Sequence, residues 1–182
     1  MELARLISAI LTVFLVALFL RAAWHKAQAF WETTGFVADY SLLPAGREVS
    51  ATRVLIGAEV LVIAMLMIPA TRPFGAALAA CLLLIYAFAM AWALRVGRRR
   101  IDCGCGGAPH FVSGLTVGRN LVLAAMACIL ALLPAGPLGG VAPALIGLGL
   151  GLTTWTVYAV AERLLANAGH ISVTGLNRPK GA

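Results

Sequence analysis

Charge is what this sequence has least of. Only 12% of its 182 residues are Asp, Glu, Lys or Arg, against about 25% in an average soluble domain. Hydrophobic residues make up 62%, and mean hydropathy is +0.95. A soluble globule of this length leaves too much area in water to hide that apolar surface, so an ordinary cytosolic enzyme is excluded. The same apolar excess excludes a disordered chain. Alternating ten-residue strands are also missing. The apolar runs have helical length and are separated by Gly and Pro, which argues against an outer-membrane barrel. Acidic residues number seven against fourteen basic, a net charge of +7. No nucleic-acid-binding motif accompanies that excess, so no nucleic-acid partner is expected. Basic residues at helix ends face lipid headgroups instead.

What is present reads as an all-α membrane protein. The pattern predicts a bundle of about five transmembrane helices, a four-helix core plus one, with an interfacial segment after the first helix. Residues 1–165 form a single transmembrane domain and 166–182 a flexible polar tail. No internal repeat is visible. The first helix is centred on Leu6–Leu20, bracketed by Arg5 and Arg21 and extended by Ala22–Trp24. Ala27-Gln28-Ala29 mimics a signal-peptidase site, but Arg21, His25 and Lys26 precede it, so the helix reads as uncleaved. His25 to Ser50 mixes Trp31, Phe36 and Tyr40 with Glu32, Asp39, Arg47 and Glu48 and is expected to lie on the membrane surface. Val54–Ile68, Phe74–Leu94, a helix centred on Leu121–Leu133, and Leu138–Ala161 complete the set. Trp155 and Tyr158 are expected as interface anchors. Cys81 and Cys128 fall inside apolar helices and read as small packed hydrophobes.

Five spans put loop 1, loop 3 and the C-terminus on one side. Twelve basic residues share that side; only Arg5 and Arg72 lie on the other. By the positive-inside tendency the first side faces the cytoplasm.

That side carries the segment with chemistry, Arg98-Arg99-Arg100-Ile101-Asp102-Cys103-Gly104-Cys105. The Cα atoms of Cys103 and Cys105 are at most about 7 Å apart along an extended chain, and a disulfide needs about 4.4–6.8 Å. A bend at Gly104 brings them into range. The resulting small ring is strained, hence labile and oxidising. Arg98, Arg99 and Arg100 favour a thiolate, and Asp102 tunes the pair. Two other readings remain: a static loop staple, and a metal site of Cys103, Cys105, His110 and Asp102. The second lacks another cysteine pair and the usual spacing, so no metal is expected.

The Cys103-Gly104-Cys105 motif after a basic run, the Arg119-Asn120 pair opening the next helix, and His25-Lys26 with Tyr40-Ser41-Leu42-Leu43-Pro44 after the first helix together resemble the methylamine-utilisation MauE family. These are DoxX-like membrane proteins. Gly106 departs from the aromatic expected there. The layout is also similar to vitamin K epoxide reductase, although that family carries Cys-x-x-Cys and a further cysteine pair in loop 1. The resemblance implies a thioredoxin-like partner of MauD type and a role in disulfide formation in the small subunit of methylamine dehydrogenase. It further implies a quinone, ubiquinone or menaquinone, that takes electrons from Cys103 and Cys105.

Several residues suit such a quinone site. Glu59 is an intramembrane carboxylate, able to bond a carbonyl when protonated or to relay protons; pairing with Arg53 or Arg119 is the structural alternative. Asn120 is a donor, or else an interhelical hydrogen bond. Trp24, Trp31 and Trp92 are candidate walls of an apolar pocket or, as aromatics near helix ends, interface anchors; His25 is a candidate proton shuttle or a headgroup contact, and Arg119 a cationic neighbour. The family reading sets the motif side in the periplasm of a bacterial inner membrane, against the charge count, because cytosolic thiols are kept reduced. The competing function is a non-enzymatic membrane scaffold that docks the thioredoxin-like partner.

Overall fold

The computed structural model describes residues 2–44, 46–97, 113–136 and 140–176, with side chains through 164. Six helices are present among them: α1 Glu2–Gln28, α2 Phe30–Asp39, α3 Glu48–Met67, α4 Arg72–Arg95, α5 Gly114–Leu132 and α6 Val141–Leu176. All but α2 contain a stretch long and apolar enough to cross a membrane, that of α6 being Val141–Leu164. No strand occurs among the described residues. The five-span, all-α expectation is met.

Helix boundaries follow local chemistry. Pro73 stands in the first turn of α4, where a missing N–H costs nothing. Ser113 caps α5: its hydroxyl accepts from the Thr116 amide, while the Thr116 hydroxyl accepts from the Ser113 amide. Gly97, at φ +78°, ends α4 in the left-handed region that favours glycine. Helix α1 runs past Arg21 and takes Lys26 into its last turn, ending at Gln28. Both charges find partners inside the bundle, so no emergence into water is required. The interfacial segment is realised as the ten-residue α2, which packs on α3. The backbone of α6 stays helical through Leu176, well beyond 165 where the flexible tail was expected to begin.

Four helices supply the core. Phe14, Leu15 and Phe19 of α1, Val62 and Leu66 of α3, Leu82 and Leu83 of α4, and Leu123 and Leu130 of α5 are buried together. Ala76, Ala79 and Ala80 of α4 and Ala124 and Ala127 of α5 are buried in the same core, small residues that let the two closely packed helices approach. Arg72 fastens the other end of that hairpin, donating from Nη2 to the carbonyls of Leu133 (3.2 Å) and Pro134 (2.6 Å). Helix α6 lies outside the core and packs mainly on α1. The exterior is as apolar as the interior: Phe74, Leu84, Phe88, Val122, Leu132 and Val157 are exposed. Lipid, unlike water, imposes no penalty for that. Cys81 and Cys128 are also exposed. They therefore lie on the lipid-facing surface and not in packed interfaces, because a thiol gains little by choosing between hydrocarbon and core.

The α1–α6 seam depends on one glycine. A Cβ on Gly151 would stand 2.6 Å from Val13 Cβ and 3.0 Å from the Ile10 carbonyl. Gly151→Val is expected to destabilise the fold by about 1–3 kcal/mol through overpacking. Gly149→Ala meets nothing within 4 Å and leaves stability unchanged or slightly higher. Thermal unfolding in detergent, followed by tryptophan fluorescence, distinguishes the two.

Candidate functional site

Successive spans alternate in direction. The end of α1, the start of α3, the end of α4 and the start of α5 therefore share one end of the bundle. The chain leaves α4 there at Gly97 and enters α5 at Ser113. In the half of the bundle facing that end, the apolar core gives way to a polar one.

Its centre is Glu59 of α3, with no exposed surface. Glu59 Oε1 accepts from Lys26 Nζ of α1 at 2.7 Å and from the Tyr86 hydroxyl of α4 at 2.8 Å. Lys26 is itself 5% exposed, and its ammonium lies 5.3 Å from the Tyr86 ring centroid, within cation–π range. Three helices thus converge on one carboxylate oxygen. The other, Oε2, is buried and has no partner among the described residues.

A second cluster lies beside it. Glu162 of α6 accepts from Arg21 Nη1 of α1 at 3.2 Å through Oε2. Its Oε1 accepts from Arg119 Nη1 of α5 and from the Tyr158 hydroxyl at 3.1 Å. Tyr158 also stacks edge-on against Phe14 at 5.5 Å. Tyr158 and Trp155 are half-buried and pack on the core. Glu162, just past the apolar stretch Leu138–Ala161, is a bundle residue: two arginines of other helices need its charge.

Two cavities adjoin these clusters. The smaller, of about 30 Å³, lies among Arg21, Lys26, Glu59, Tyr86, Arg119, Asn120, Tyr158 and Glu162 with apolar neighbours. The larger, of about 290 Å³, lies between α2, α3 and α4. Phe36, Val37, Leu55, Ile85, Ala89 and Met90 wall it, and Lys26, Thr33, Tyr40 and Tyr86 supply its polar atoms. Lys26 and Tyr86 border both cavities.

The structure brings Glu59, Arg119 and Asn120 together around the small cavity. Glu59 does not pair with Arg53 or Arg119. Arg119 is engaged by Glu162 and Arg53 is exposed, which leaves Lys26 as its cation. Asn120 makes no interhelical bond among the described residues; Nδ2 donates to the Thr116 carbonyl of its own helix at 3.0 Å. Trp24, Trp31 and Trp92 are 64%, 74% and 44% exposed and border neither cavity. They are outward-facing aromatics at helix ends. His25 borders neither cavity either, and its buried Nδ1 has no partner among the described residues. Cys103, Cys105, Arg98, Arg99, Arg100 and Asp102 lie outside the described residues. Sequence reasoning missed Lys26, Tyr86, Arg21 and Glu162. The available signal was the requirement that an intramembrane carboxylate have a cation at matching depth.

The chain matches the family model for methylamine utilisation protein MauE over residues 4–134. It is 38% identical to the methylamine utilization protein MauE of Paracoccus denitrificans over 162 residues, covering 85% of this chain and 84% of the relative. It is 40% identical to the MauE of Paracoccus versutus over 154 residues, 83% of each chain. With the MauE of Methylophilus methylotrophus it shares 32% identity over 126 residues, 68% of this chain and 66% of the relative. No solved structure matches the chain.

Removing one member of a buried ion pair leaves the other uncompensated, at a cost of about 3–5 kcal/mol. Glu59→Leu is therefore expected to lower thermal stability sharply. Glu59→Gln, which still accepts from Lys26 and Tyr86, should cost less. Unfolding of the purified variants in detergent tests the order.

Proposed function

The chain belongs to the MauE family of methylamine-utilisation proteins, and from that premise we propose that it is a membrane thiol–disulfide oxidoreductase component of that system. Cys103 and Cys105 exchange a disulfide with a thioredoxin-like partner of MauD type. The exchange supports disulfide formation in the small subunit of methylamine dehydrogenase. The observation that carries the reading is the buried Lys26–Glu59–Tyr86 cluster in the half of the bundle facing the 97–113 connection. A charged pair at membrane depth is expensive and marks a site of function before it marks a device of stability.

The cysteine chemistry balances as follows. A partner thiolate attacks one sulfur of the Cys103–Cys105 bond, that bond opens, and a mixed disulfide forms. The partner's second thiolate then displaces the cysteine from the mixed disulfide. The partner leaves oxidised, and the Cys103 and Cys105 thiols have gained two electrons and two protons. Arg98, Arg99 and Arg100 stabilise the thiolate forms and Asp102 offsets them. Closing the bond again releases two electrons and two protons, and a membrane quinone, when bound, supplies the acceptor for both. The donor set fits such an acceptor. The Lys26 ammonium has three N–H groups, of which Glu59 accepts one.

The motif side faces the periplasm of a bacterial inner membrane in this reading. Three of the twelve basic residues on that side, Arg21, Lys26 and Arg119, pair with Glu59 or Glu162 inside the bundle. They are side chains of the site and not loop charges, so the positive-inside count loses weight.

Cys103→Ser or Cys105→Ser is expected to abolish disulfide transfer to the partner, while Cys81→Ala and Cys128→Ala leave it intact. Alkylation trapping of the Cys103/Cys105 pair in membranes, with the quinone pool oxidised and then reduced, should show the pair changing state. An impermeant maleimide should reach Cys105 in intact cells. Full transfer by Cys103→Ser sinks the mechanism. A pair that never changes state leaves the scaffold role.

A further inference from the structure

The residues that looked suited to a quinone from sequence converge on the wrong space. Glu59, Arg119 and Asn120 surround a cavity of about 30 Å³, room for about one water and for no head group. The cavity between α2, α3 and α4 is roughly ten times larger, at about 290 Å³, near the lower end of the roughly 300–1,000 Å³ of small-molecule sites. We propose that this second cavity binds the uncharged, carbonyl-bearing head of a lipid-soluble molecule, with Lys26 and Thr33 as its hydrogen-bond donors. The assignment rests on the electron-acceptor reading above, under which that molecule is a quinone.

Three observations select the ligand's chemistry. First, the walls are almost wholly apolar, and the polar groups are few. That is the composition of a site that buries hydrocarbon and orients one polar end. Second, Lys26 is the one charged residue among the described residues that line the cavity, and Glu59 behind it neutralises it at 2.7 Å. A phosphate or carboxylate head would bring an uncompensated charge into a low-dielectric site, whereas a neutral carbonyl would not. Lys26 and the buried Thr33 still offer N–H and O–H donors, as a carbonyl oxygen requires. Third, Leu42, Leu43 and Ile85 border the cavity and are each more than 40% exposed. The cavity therefore reaches the outer surface of the bundle, beneath the interfacial helix α2, where a lipid-soluble molecule arrives from the bilayer.

The shared wall gives the site a second property. Lys26 and Tyr86 border both cavities, and Glu59 joins them through one oxygen. A carbonyl bonded to Lys26 is thus one residue removed from Glu59. The carboxylate stands behind the ammonium as a positioning group and does not contact the ligand.

The test uses the purified full chain in detergent, with decylubiquinone as probe, read by equilibrium binding and by thermal shift. Saturable binding is expected, weakened at least tenfold by Ala89→Phe, which fills the cavity, and severalfold by Thr33→Val. The far-ultraviolet circular dichroism of Ala89→Phe should match the wild type, which checks that the bundle is intact. Wild-type affinity in Ala89→Phe overturns the placement while leaving the electron-acceptor reading standing. Displacement of the probe by phosphatidylglycerol at comparable concentration assigns the cavity to phospholipid and overturns the carbonyl assignment. Absence of saturable binding in the wild type overturns both the placement and the reading on which it rests.

Discussion

An ammonium and a carboxylate buried together in a membrane bundle constrain everything around them. Lys26 and Glu59 must stay paired, because neither ion is tolerable alone at that depth. Their 2.7 Å contact therefore fixes the end of α1 against the middle of α3, and the Tyr86 hydroxyl draws in α4. Arg21, Arg119 and Glu162 repeat the arrangement for α1, α5 and α6. Apolar packing cannot do this alone in a bilayer, where lipid tails are as good a neighbour for leucine as another helix is. The polar contacts specify which helices meet and at what height, and they put fixed dipoles beside both cavities.

Away from the site the fold relies on closeness. The alanines between α4 and α5, and Gly151 against Val13, let backbones approach until dispersion contacts accumulate. Arg72 ties the start of α4 to the carbonyls following α5 at the opposite end of the bundle. The protein thus has one end built from small apolar residues and a single cationic clamp. The other is built from buried charges beside a cavity. Only the second has the ingredients of chemistry.

The span count, the four-helix core plus one, and the surface helix after α1 were legible because hydropathy and Gly/Pro punctuation act locally along the chain. Glu59 was legible as a functional residue because an intramembrane carboxylate stands out against Val, Leu and Ala. Its partner was not. Lys26 follows an apolar run and reads as a headgroup contact until α1 is seen to continue inside the bundle. Glu162 failed for the same reason: it follows the last apolar stretch, and the arginines of α1 and α5 show that it belongs to the bundle. Trp24, Trp31 and Trp92 stayed open between pocket wall and interface anchor because an aromatic at a helix end serves either equally well in one dimension. Rotation about the helix axis decides, and the nearly uniform hydrophobicity of α1 and α4 leaves no stripe from which to infer it for Trp24 and Trp92.

The claim on which the account turns is that the Lys26–Glu59 pair is kept for function and not for stability. The double variant Lys26→Met/Glu59→Leu tests it most directly, because replacing a buried pair by apolar groups of similar size removes the charges without stranding either one. The measurement is the rate at which the Cys103/Cys105 pair is re-oxidised in membranes by the quinone pool, beside the variant's melting temperature. The account predicts a folded protein with wild-type or higher stability and re-oxidation slowed by orders of magnitude. A stable double variant that re-oxidises at the wild-type rate would contradict it.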